Sequence, residues 1–144
     1  MAMGIATFCF VVILALLGVG LTTSQSSTEQ TVAANLLAAI AADVRSTPNP
    51  IPEGSTSTNS SPIYGISIPA TSGSATSQSF YIAENGLTNA TAIGSRYQLH
   101  TWAFPATTTH QETVVRLLLT WPAASVYTNA PGSMESVVAV NRMP

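Results

Sequence analysis

A continuous run of apolar side chains opens the chain, and shorter alternating segments follow much later. Residues 2–21 include no charged side chain, and the first charge of the chain is Glu29. A helix of about twenty residues is roughly 30 Å long, which matches the hydrocarbon core of a bilayer. The pattern therefore predicts a membrane-spanning helix over residues 1–22. Its large apolar side chains are Ile5, Phe8, Phe10, Val12, Ile13, Leu14, Leu16, Leu17, Val19 and Leu21.

A secretory signal peptide and a buried core helix are the two other interpretations of this run. A signal peptide has a positively charged start and an apolar stretch of about 7 to 15 residues. Residues 1–4 carry no positive charge, and the apolar run is longer than that. A helix that is apolar on every side needs a large protein around it, and the remaining chain is too short to supply one. A membrane span is the favoured interpretation.

Residues 23–47 predict a water-exposed continuation of the same helix. The polar stretch at residues 22–30 contains no proline or glycine that would stop a helix. Apolar residues then recur at four-residue intervals, which is typical of one helical face. This stripe consists of Val32, Leu36, Ile40 and Val44. Because Pro48 and the prolines that follow end the helix, we expect the stripe to dock on the segment that comes next.

The rest of the chain predicts a loop region and then a β-sheet head. Residues 48–78 are rich in proline, glycine, serine and threonine, as in loops. Residues 79–144 contain short β-prone runs separated by turn residues, and these predict strands at 79–83, 96–104, 112–121 and 136–142. The third run has one wholly apolar face, which is typical of a central strand. We therefore predict an α+β fold, in which the amphipathic half of a long N-terminal helix packs on a small antiparallel β-meander.

Three stretches carry a resemblance to a known family. Residues 2–6 look like the segment just inside a mature pilin N-terminus, and residues 114–122 and 136–142 look like the terminal hairpin of minor pilins. With the long helix, they make the chain resemble the type IV pilin and pseudopilin family, the subunits of pili and type II secretion filaments. The resemblance implies a structural subunit, in which residues 1–22 also serve as the assembly helix of the filament. From the residues themselves we expect no enzymatic activity and no cofactor. The implied partners of the subunit are inner-membrane lipid and other pilin-like subunits. The implied location is the bacterial inner membrane, crossed once, with a periplasmic or extracellular head, and then the filament after assembly.

Several features of that family are missing from the printed sequence. The basic leader that ends in glycine, and the glutamate just after its cleavage point, would lie upstream of Met1. We expect the true start codon to lie upstream, with a truncated relative as the alternative. The paired cysteines of many pilins and the acidic calcium site of major pseudopilins are also absent. A minor pilin or pseudopilin-like subunit is thus favoured, and a membrane-anchored extracytoplasmic binding module that never polymerises is the alternative.

Composition narrows the possible functions further. Charged residues make up 7% of the 144 residues, against about 25% in typical soluble domains, and the mean hydropathy is +0.32. The four basic residues, all arginines, are scattered singly, and the net charge is −2. Without a basic patch to neutralise phosphates, we expect no nucleic-acid partner. The single cysteine, Cys9, cannot form an intramolecular disulfide.

Candidate catalytic and metal-binding residues are sparse. His100 and His110 are the two histidines, and Glu112 is the one potential ligand close to them in sequence, which is too few for a zinc site. No G-x-S-x-G motif or phosphate-binding loop occurs. Trp102 and Trp121 could serve as aromatic binding platforms, but tryptophans on strands more often pack in a core. We predict neither a catalytic nor a metal site.

Two tripeptides match the N-glycosylation pattern. They are Asn59-Ser60-Ser61 and Asn89-Ala90-Thr91. In a serine-rich chain such matches also arise by chance, and their meaning depends on the host.

Overall fold

The computed structural model describes residues 2–47, 59–69, 74–106 and 112–141, and for residues 2–9 it describes the backbone alone. The chain divides into two compact units, Met1–Val32 and Ala33–Pro144. The boundary between these units lies within residues 23–47, the segment predicted as the amphipathic continuation of the helix. The predicted loop region at 48–78 lies partly outside the described residues.

One long helix, α1, covers Ala2–Arg45. The predicted single helix is thus present, and it runs without a break through the polar stretch at residues 22–30. Alanine and leucine, both strong helix formers, dominate its second half. Threonine hydroxyls in the polar stretch donate to the carbonyl oxygens three or four residues earlier, as Thr22 does to Val19 at 3.0 Å.

Seven strands occur within the described residues. They are β1 (Asn59–Ser60), β2 (Ser67–Ile68), β3 (Thr76–Ile82), β4 (Thr88–Asn89), β5 (Tyr97–Phe104), β6 (Glu112–Trp121) and β7 (Gly132–Asn141). The first two pair with each other, and the other five form an antiparallel sheet in the order β4-β3-β5-β6-β7. The sheet is the predicted meander, with β6 between two neighbours as expected for a central strand.

Strand bounds differ from the prediction where the residues are polar or small. β3 begins at Thr76 instead of residue 79, and β7 begins at Gly132 instead of residue 136. Gly132 and Ser133 have little β-propensity, but they pair with Trp121 and Thr120 of β6. Pairing with β6 therefore extends β7 beyond the residues that the apolar alternation predicts. Three further strands, β1, β2 and β4, are two residues long and are likewise defined by pairing, β1 with β2 and β4 with β3. They are too short to show an alternation that could be predicted.

The core lies between the C-terminal half of α1 and one face of the sheet. The fold is α+β, as predicted. Side chains at alternate positions of β5, β6 and β7 meet those of the helix. The main members of this core are Ala33, Leu36, Leu37, Ile40, Ala41 and Val44 of α1 with Ile82, Tyr97, Leu99, Val115, Leu117, Leu119, Trp121, Val138 and Val140 of the sheet.

Val32 corrects the predicted stripe. Its side chain is 38% exposed, while Leu36, Ile40 and Val44 are buried, and Ala33 occupies the position assigned to Val32. A helix turns about 100° per residue, so a four-residue interval advances about 40° each time. Val32 therefore lies about 120° away from Val44 around the helix axis, outside the buried stripe.

Trp121 closes one end of the core where β6 pairs with β7. Its indole meets the ring of Tyr97 edge-on, with centroids 6.1 Å apart. Directly across the ladder lies Gly132, and a Cβ atom there would overlap the Trp121 indole. The close approach of the two strands at this point therefore requires glycine.

Candidate functional site

The large apolar side chains of residues 10–21, here called the apolar segment, are exposed. Their exposed fractions run from 41% for Val12 to 65% for Leu21. The predicted membrane residues in this range are all among them: Phe10, Val12, Ile13, Leu14, Leu16, Leu17, Val19 and Leu21. The side chains of Ile5 and Phe8 lie outside the described residues. Within the described part of the chain, α1 is the helix long and apolar enough to span a membrane.

One side of the apolar segment forms a shallow apolar groove. It is lined by Ile13, Leu16, Leu17, Gly20 and Leu21. A Cβ atom at Gly18 or Gly20 would find no other atom within 4 Å. Glycine at these positions leaves the helix backbone open to close approach, which is how helices commonly pack in membranes.

The polar stretch that follows is uncharged up to Thr28. Its threonine hydroxyls are satisfied within the helix: Thr23 donates to the Val19 carbonyl at 2.9 Å and Thr28 to the Ser24 carbonyl at 3.0 Å. A hydroxyl with an internal acceptor costs less free energy in an apolar environment than one without. The threonines that follow Leu21 therefore add less polar cost in an apolar environment than free hydroxyls would.

Asp43, near the end of α1, is a buried carboxylate that the sequence analysis did not identify. It is 3% exposed. Its Oδ1 accepts a hydrogen bond from the backbone N–H of Ile63 at 3.1 Å, and its Oδ2 accepts one from the N–H of Tyr64 at 3.0 Å. Burial, and secondly the charge of Asp43, raise the pKa of the Tyr64 phenol. Asp43 therefore fixes the loop between β1 and β2 to the helix.

The sheet face opposite the core, here called the outer face, carries an aromatic and charged cluster. The register brings together Ser79, His100, Trp102, Arg116, Leu118, Glu135 and Val137 on this face. Tyr127, from the loop before β7, covers it, with its ring centroid 4.9 Å from that of His100 and 6.4 Å from that of Trp102.

Arg116 lies at the centre of the outer face. Its guanidinium carbon is 5.3 Å from the centroid of the Trp102 ring, a cation–π distance. The same guanidinium forms a bidentate pair with Glu135, in which Nη2 donates to Oε2 at 3.0 Å. This hydrogen bonding lowers the pKa of Glu135. Trp102 is thus the tryptophan of the outer face, whereas Trp121 is in the core.

His100 forms a serine–histidine pair with Ser79 on the outer face. Ser79 Oγ and His100 Nδ1 are 2.9 Å apart. The other nitrogen, Nε2, is buried and has no hydrogen-bond partner among the described residues. Burial lowers the pKa of His100. The contact with Ser79 holds the buried imidazole in place.

Metal ligands do not gather in the described part of the chain. No group of three or more His, Cys, Asp or Glu side chains is close enough there to hold a metal ion. His110 lies outside the described residues, as do residues 107–111 in general. The prediction that no cofactor is used stays a prediction.

Comparisons of the chain with protein-family profiles, with curated proteins and with solved structures find no match. The functional proposal therefore depends on the surfaces described above.

Proposed function

We propose that the protein is a structural subunit of a type IV pilus-like or type II secretion pseudopilus-like filament. Before assembly, α1 anchors it in the bacterial inner membrane as a single-pass protein with a periplasmic or extracellular head. The observation that carries this proposal is a contrast along one helix. Apolar side chains of residues 10–21 are exposed, whereas Leu36, Ile40 and Val44 are buried in a core.

The free energy gained when the apolar segment leaves water supports two successive locations for it, first in lipid and then in a filament. Each large apolar side chain contributes roughly 1.5–3 kcal/mol when it leaves water, so the segment strongly favours an apolar environment. Lipid provides that environment to a single subunit. The helices of neighbouring subunits provide it in a filament, and the groove beside Gly20 suits such close contact.

Leu14→Arg tests the anchoring step. An arginine at the centre of a spanning helix costs about 2.5–3.5 kcal/mol of insertion free energy. We expect the full-length variant to move from the carbonate-resistant membrane fraction to the soluble or aggregated fraction. Leu14→Phe, which stays apolar, is the matched control. Equal membrane retention of both variants would contradict the anchor.

Gly20→Leu tests assembly separately from anchoring. Because nothing lies within 4 Å of a Cβ at this position, the subunit itself is expected to fold and insert normally. The bulky side chain blocks close approach of a second helix, so filaments sheared from cells and viewed by electron microscopy should be lost. Leu16→Ile, which keeps the size and polarity of an exposed groove residue, is the control.

A membrane-anchored binding module that does not polymerise is the second candidate. The outer face favours it, because Trp102, Tyr127 and Arg116 lie together there and Tyr127 is 48% exposed. This candidate expects no filaments from the unaltered chain and no effect of Gly20→Leu. Filaments that depend on Gly20 would exclude it.

A further inference from the structure

We propose that Asn89 is a site of N-linked glycosylation, and that the fold withholds the second matching site, Asn59. The inference assumes the extracytoplasmic head of the proposed function, since such transfer takes place outside the cytoplasm. The acceptor is the Asn89 side-chain amide, and the donor is a lipid-pyrophosphate-linked oligosaccharide. The two tripeptides match the same pattern but lie in very different surroundings.

The site at Asn89 is open to a transferase. Asn89, Ala90 and Thr91 are all exposed, in the segment between β3 and β5. β4 is only two residues long and pairs with the end of β3 through Asn89 and Thr88. The described bonds of the Asn89 side chain are local: Nδ2 donates to the Ile93 carbonyl at 3.2 Å, and Oδ1 accepts from the Ala90 N–H at 2.9 Å. An exposed segment with such short-range bonds opens at low free-energy cost.

The site at Asn59 is closed by its own hydroxyl residue. Ser61 is 3% exposed, and its Oγ accepts a hydrogen bond from the backbone N–H of Ile66 at 3.1 Å. The Ser61 backbone also bonds to Ile66, with its N–H 2.9 Å from the Ile66 carbonyl. The turn between them is held to α1 by Asp43. Presenting this tripeptide to an enzyme therefore requires breaking buried bonds.

Two exposed apolar side chains flank Asn89. Leu87 is 62% exposed and Ile93 is 87% exposed. A sugar chain on Asn89 would cover both of them with a hydrated layer. In a chain with only 7% charged residues, such a layer supplies polarity that the side chains do not. The position of the glycan thus coincides with the part of the head that benefits from it.

The lipid-linked donor supplies both the sugar and the leaving group of the transfer. Asn89 Nδ2 forms a bond to the anomeric carbon of the first sugar, and the bond from that carbon to the pyrophosphate oxygen breaks. The lipid pyrophosphate leaves with the electron pair, and Nδ2 gives one of its two protons to a base of the transferase or to water. Thr91 supplies the hydroxyl that the Asn-X-Ser/Thr pattern requires.

Transfer in vitro tests the proposal without reference to membrane location or filaments. The folded full-length protein in detergent is incubated with a lipid-linked oligosaccharide and a transferase that accepts the plain Asn-X-Ser/Thr pattern. Intact-protein mass is the readout. We expect one glycan, which Asn89→Gln and Thr91→Ala abolish and Asn59→Gln leaves unchanged. Synthetic peptides covering 57–63 and 87–93 should both be modified, which shows that the enzyme accepts either sequence.

Two results would overturn the proposal. The first is an unmodified full-length protein alongside a modified 87–93 peptide, because Asn89 would then be inaccessible in the fold. The second is a glycan on Asn59 of the folded protein, because the structure would then not select between the sites. Neither result depends on whether the protein forms filaments.

Discussion

The backbone N–H of Tyr64 donates a hydrogen bond to Oδ2 of Asp43 at 3.0 Å. This bond, with the matching one from Ile63, joins the last turn of α1 to the loop between β1 and β2. Both oxygens of a buried carboxylate are therefore occupied by backbone donors. Such an acceptor is difficult to replace, because the Tyr64 donor stays buried and the Ile63 donor partly buried when the partner is lost.

Asp43→Asn should lower the free energy of unfolding by about 1–3 kcal/mol, the cost of leaving one buried or partly buried donor unsatisfied. The asparagine amide has one oxygen, so its NH₂ group must face one of the two backbone N–H groups. Denaturant unfolding of the full chain in detergent, followed by tryptophan fluorescence, reports this loss because Trp102 and Trp121 both lie in the sheet. Glu84→Gln, at an exposed carboxylate, is the control. Equal stabilities for the two variants would contradict the role of Asp43.

Ile40→Ala and Val32→Ala should differ sharply although the residues belong to one predicted stripe. Ile40 is fully buried, so its truncation should cost about 2–5 kcal/mol of unfolding free energy. Val32 is 38% exposed and should lose at most about 0.5 kcal/mol. The same fluorescence-monitored unfolding measures both. An equal loss of stability at Val32 and Ile40 would show that Val32 is as important to the core as Ile40, as the four-residue stripe predicts.

Gly132→Ala should destabilise the sheet by about 1–3 kcal/mol, the usual cost of overpacking. The added methyl group would overlap the Trp121 indole across the β6–β7 ladder. Ser133→Ala changes the next, exposed residue and should be nearly neutral. Circular dichroism during denaturant unfolding checks the pair. A Gly132→Ala variant with unchanged stability would show that the Trp121 indole can shift without cost, which would contradict the need for glycine.

The sequence predicts the main elements and their contacts to the extent that these follow from periodicity. The alternation in β6 sets its bounds at residues 112 and 121, as observed. The stripe of α1 is correct at Leu36, Ile40 and Val44 but wrong at Val32, because the four-residue interval drifts around the helix. Periodicity therefore identifies an apolar face but places its edge poorly.

Long-range polar contacts could not be predicted in the same way. Asp43 bonds to Ile63 and Tyr64, twenty residues or more away, and no pattern around Asp43 indicates a buried carboxylate. The contact between Ser79 and His100 depends on the β3–β5 register, which the sequence alone does not set. The proposed function remains a proposal that the sequence suggests and the exposed apolar segment supports.

His100 should make stability depend on pH. Burial lowers its pKa in the folded protein below the ordinary value of 6.5. As the pH falls through that value, the unfolded chain binds a proton that folded His100 does not, so the free energy of unfolding falls. In a His110→Gln background, the protein should lose more stability between pH 7.5 and about pH 5.5 than the same protein with His100→Gln. Identical pH profiles by circular dichroism would contradict the buried neutral imidazole.

Removal of residues 1–21 tests most directly the claim that the helix, and not the head, holds subunits together. The compact unit Ala33–Pro144 contains the whole sheet and its core. We therefore expect the shortened protein to be soluble, folded by circular dichroism and monomeric by light scattering. Cells that produce it should carry no filaments in electron micrographs, whereas cells that produce the full chain should. Filaments built from the shortened protein would contradict the account, because the head alone would then suffice for assembly.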